Sequence, residues 1–61
     1  MKIKYIHASN PETVKIHDTE KVRKNTYFLT KTQKEVDKNE LRCFERDKAR
    51  GIILHYEIME E

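Results

Sequence analysis

A chain of 61 residues, 36% hydrophobic and 39% charged with a net charge of +2, has room for one small domain and none for a second. Its core is too small to enclose a large substrate cavity. That leaves a marginally stable monomer, a pair of identical chains, or a piece completed by a partner.

The single cysteine, Cys43, excludes an internal disulfide framework and any CxxC-type zinc or redox motif. One free thiol suits a reducing compartment. The opening MKIKYIHAS is too broken for a signal peptide and no apolar run approaches spanning length, so a cytoplasmic location without membrane contact is expected. Residues 1–31 carry seven Lys/Arg against three Asp/Glu, residues 32–61 six against eight. So mild an asymmetry does not by itself announce a nucleic-acid protein.

In chain order, Ile3 and Tyr5 alternate with Lys2 and Lys4, and Val14 and Ile16 with Lys15 and His17. The spacing predicts a β-hairpin, strands 2–8 and 13–18, turning at Asn10-Pro11, where proline presets φ. Asp18-Thr19 is suited to cap a short helix over 20–24, with Asn25 in the left-handed position at its end. Tyr27-Phe28-Leu29 brings three large apolar side chains together, as a short strand or a buried connection. With only five aromatics and no tryptophan in the chain, core packing is expected for Phe28 and partial burial for Tyr27.

Residues 33–50 give the clearest pattern, a long helix. Thr32 and Glu35 form a capping box, Asp37 and Glu40 offer a second start, and Gly51, the only glycine, stands at the helix C′ position. The run from Ile52 to Met59 then reads as a strand. The order β-β-α-α-β makes an α+β domain over 1–61, a three-stranded, mostly antiparallel sheet with the long helix packed on one face.

Lys34, Lys38, Arg42, Arg46 and Arg50 recur at i+4 steps on that helix, a stripe winding over about 160°. It can lay cations along phosphates. Interleaved acids make a solvated face the simpler reading, since Glu35/Lys38, Arg42/Glu45 and Asp47/Arg50 are i, i+3 partners. A second basic group, Lys21, Arg23 and Lys24 with Lys31, lies near Tyr27 and Phe28, where aromatics stack bases while cations hold a backbone. His7, His17, His55 and Cys43 invite a metal, but alternation puts His7 and His17 on opposite sides of the sheet, and no pair has a chelating spacing. No metal or cofactor is expected. A Cys43–His nucleophile pair needs an exposed thiolate, whereas the helix phase places Cys43 beside the buried side.

The sequence therefore points to a non-enzymatic interaction module, with a protein partner or a second copy favoured, nucleic acid as the alternative, and no small-molecule substrate. Self-association is expected through the final strand. There, alternation puts Ile52, Leu54, Tyr56 and Ile58 towards the helix and leaves Ile53, His55 and Met59 on a partly apolar second face. That face needs either the 19–31 segment folded over it or another molecule.

Overall fold

The structure is a computed structural model and describes residues 1–59. Strand β1 (Lys2–His7) turns into β2 (Val14–Asp18), helix α1 (Thr19–Arg23) and a single 3-10 turn (Thr26–Phe28) follow, and helix α2 (Gln33–Ala49) leads into β3 (Ile53–Met59). The sheet order is β2-β1-β3, both pairs antiparallel. This is the expected α+β architecture, with elements within two residues of their predicted bounds.

The local signals act where the sequence puts them. The N–H of Thr13 donates to Asn10 O at 3.1 Å, closing the turn with Pro11 at its first central position. Asp18 caps α1 by accepting from the Glu20 N–H at 3.0 Å. Thr32 and Glu35 form the reciprocal capping box of α2. Gly51 takes φ +78 just past the helix end, a conformation that glycine adopts without a Cβ penalty. Asn25, expected in the left-handed region, is instead extended and caps the 3-10 turn through the Tyr27 N–H.

The buried hydrophobic core is Ile3, Val36, Phe44 and Ile53. Phe44 meets Tyr5, His17 and Tyr56 at ring-centroid distances of 5.0, 5.4 and 5.7 Å. These contacts pin α2 to one face of the sheet and account for most of its aromatic packing.

Two strand phases depart from expectation. β1 pairs Ile3 with His17 and Ile6 with Val14. Directly opposed residues share a face, so the inward face of β1 lines up with His17 and Lys15, and Val14 and Ile16 point away from the helix. In β3, Ile6 pairs with His55 but His7 pairs with Ile53, a bulge that accommodates Leu54 as an extra residue. The bulge corrects the predicted second face: Ile53 is 4% exposed in the core, while Ile52 and Leu54, expected against the helix, are exposed. Ile58 does share the helix-side face with Ile3 but is left 51% exposed. Tyr27-Phe28-Leu29 forms neither a strand nor a buried connection; Phe28 is half-buried, and Tyr27 and Leu29 are exposed.

Candidate functional site

Two surfaces combine chemistry with exposure. The first is the sheet face turned away from α2. Its cross-strand rows are Val14, Ile6 and His55, then Ile16, Lys4 and Glu57, then Asp18, Lys2 and Met59. Val14 is 55% exposed and Ile16 58%, and Leu54 adds a third exposed aliphatic beside the bulge. Lys4 Nζ lies 2.6 Å from Glu57 Oε1. That hydrogen bond holds the Glu57 carboxyl below its ordinary pKa, so Glu57 neutralises the central lysine of this face. His55 and Met59 stand here as expected; Ile53 does not.

The 19–31 segment does not cover this face. Helix α1 packs on α2 instead, held by Thr19, whose buried hydroxyl lies between Met1 O and the Asp37 carboxylate. Arg23 Nε then donates to Lys31 O at 3.0 Å and ties the following loop back to α1.

The second surface is a cleft of about 340 Å³ between the 3-10 turn and α2. Tyr27 and Phe28 form one wall, Lys38 and Arg42 the other, with Lys31 at the turn between them. The Tyr27 and Phe28 rings meet edge to face at 5.0 Å, 80° between planes. Glu35 also lines the cleft, but its carboxylate accepts the Thr32 N–H at 2.8 Å, which lowers its pKa. Among the described residues, no carboxylate lies within ion-pair distance of Lys31, Lys38 or Arg42.

The structure thus divides the basic residues. Lys38 and Arg42 of the helix stripe join Lys31 in the cleft. Lys34 lies exposed in the first turn of α2, Arg46 is 3.3 Å from Asp47, and Arg50 is the C-cap residue. Lys21 and Lys24 are exposed outside the cleft, and Arg23 serves the loop.

His7, His17 and Cys43 share one side of the sheet, lining a shallow pocket with Phe44. The expectation of opposite faces for the two histidines failed because β2 is phased with its polar residues towards the helix. His17 Nε2 lies 3.2 Å from Glu40 Oε2, and His7 Nδ1 accepts the Ser9 N–H at 3.1 Å with the Ser9 hydroxyl oxygen 2.7 Å away. Among the described residues no three His, Cys, Asp or Glu side chains converge as a metal site, and no helix is long and apolar enough to cross a membrane. No protein family, curated protein or solved structure matches the chain.

Proposed function

We propose that the chain is a non-enzymatic binding module that acts by pairing with a second copy of itself through the open face of the sheet. The observation that carries this reading is the inverted phase of β2. Its aliphatics Val14 and Ile16 face outward and its polar Lys15 and His17 face the helix side, the reverse of a strand that covers its own core. The nearest internal cover, the 19–31 segment, is committed to α2 by Thr19, so the outward aliphatics are available to another molecule.

Charge favours a second copy as that molecule. Lys2 and Lys4 are balanced on this face by Asp18 and Glu57, although the chain as a whole is +2. Two such faces meet without net repulsion. Three strands about 4.8 Å apart and roughly 20 Å long give about 300 Å² of flat face, or about 600 Å² for a pair before side-chain relief. That is below the standard size of specific interfaces and implies a weak, concentration-dependent dimer.

Size exclusion with light scattering tests it, at about 100 and about 1 micromolar, bracketing a weak dimer. The mass is expected to rise from one chain towards two with concentration, and Ile16→Lys to hold it at one chain without lowering the melting temperature at the dilute end. A one-chain mass at the higher concentration refutes the pairing.

A further inference from the structure

We propose that the cleft between the 3-10 turn and α2 binds single-stranded nucleic acid, stacking an unpaired base on Tyr27 and placing phosphates against Lys31, Lys38 and Arg42. In a chain this poor in aromatics, Tyr5, Phe44 and Tyr56 pack together against the sheet, yet Tyr27 is left 80% exposed. Phe28 meets it edge to face, which steadies the ring while leaving a π-face open for stacking. The cleft volume of about 340 Å³ lies at the small end of ligand sites, enough for a base with its sugar.

The charges beside the ring select an anion. Lys31, Lys38 and Arg42 have no carboxylate within ion-pair distance among the described residues. The one acid in the cleft, Glu35, accepts the Thr32 N–H and also feels the Lys31 charge, so three cations face one acid and the lining stays net positive. Lys38 and Arg42 are one helical turn apart, about 6 Å along the axis, so successive phosphates of a strand meet one cation each. A duplex keeps its base faces stacked inside and offers Tyr27 nothing. A free nucleotide reaches the ring but leaves part of the cation row unused.

A fluorescently labelled twelve-residue oligothymidylate, followed by anisotropy, is the probe. Tyr27→Ala is expected to weaken binding about tenfold and Tyr27→Phe to preserve it, because stacking needs the ring alone. Raising salt from about 50 to about 200 mM should weaken binding by about 20-fold if three phosphates are neutralised, and Lys38→Gln with Arg42→Gln should flatten that dependence. A blunt duplex of the same length should bind at least about tenfold more weakly for want of the stacked base. Full binding by a Tyr27→Ala variant with an unchanged circular dichroism spectrum overturns the proposal. So does the absence of binding at about 100 micromolar protein in low salt, or competition by thymidine monophosphate at the oligonucleotide's own concentration, which would mark a free-nucleotide site.

Discussion

The hydroxyl of Thr19, at the start of α1, is fully buried against the Asp37 carboxylate of α2. Met1 O already receives the Thr19 N–H at 2.9 Å, so the single hydroxyl proton goes to the charged Asp37 oxygen, the stronger acceptor. Gln33 Nε2 donates to both, at 3.0 Å to Thr19 and 2.8 Å to Asp37. This junction fixes the 19–31 segment on the helix side, and so decides which sheet face stays open and where Tyr27 stands.

Thr19→Val keeps the shape and removes the hydroxyl, leaving a partly buried carboxylate short of a donor. A loss of about 1–3 kcal/mol is expected in urea denaturation, with Thr19→Ser close to wild type. A neutral Thr19→Val would show that the junction does not hold the segment.

Phe44 is the second point of leverage, since one ring serves Tyr5, His17 and Tyr56. Phe44→Ala should destabilise by roughly 3–5 kcal/mol, enough to unfold a domain of this size at room temperature. Circular dichroism reads it directly, and a cooperative melt near the wild-type temperature would place the core elsewhere.

At Gly51 nothing lies within 4 Å of an added Cβ, so the whole penalty of a side chain is the positive φ. Gly51→Val should lose about 1–2 kcal/mol and Gly51→Asn clearly less, because asparagine tolerates the left-handed region. Equal losses for both in chemical denaturation would argue for crowding instead.

Glu35 and Glu57 have pKa values lowered from 4.5, the first by the Thr32 N–H and the second by its hydrogen bond to Lys4. A depressed carboxylate contributes stability above its unfolded pKa and loses it as pH falls through the folded one. Melting temperature should therefore hold from neutral pH down to about 4.5 and fall below it. Glu35→Gln should start lower at neutral pH and lose less on acidification; an identical slope would remove the capping carboxylate from the account.

The features legible in the sequence are those carried by local chemistry. Thr32 and Glu35 bond within one turn, Asn10-Pro11 closes its own turn, and Gly51 stops its own helix, so each can be read without knowing what lies opposite. Strand phase is different. The alternation of Val14 and Ile16 says that one side of β2 is apolar; whether that side faces the helix depends on pairing with β1, and a one-residue slip reverses it. Tyr27 was illegible for a related reason. Its exposure follows from the Thr19–Asp37 junction, a contact across 18 residues, while its neighbours in sequence suggest a buried cluster. The cleft was half legible: Lys31, Lys38 and Arg42 were marked as cations, but nothing in their spacing brings Lys31 to the helix stripe.

The bulge in β3 gives the sharpest test of the fold, because two adjacent residues exchange roles according to whether it exists. With the bulge, Ile53 is core and Leu54 is an unpaired residue 50% exposed; with unbroken alternation back from Tyr56, Leu54 would face the helix and Ile53 would face out. Ile53→Lys should then lose about 3 kcal/mol or more, since an ammonium replaces a buried aliphatic that packs in the core with Ile3 and Phe44. Leu54→Lys should stay within about 1 kcal/mol, the range of exposed substitutions. The comparison belongs at about 1 micromolar, where the proposed dimer is dissociated and Leu54 reports on the single chain. Thermal melts in the opposite order, with Leu54→Lys unfolded and Ile53→Lys intact, would show that β3 pairs with β1 without a bulge, and would return Ile53 to the open face beside His55 and Met59.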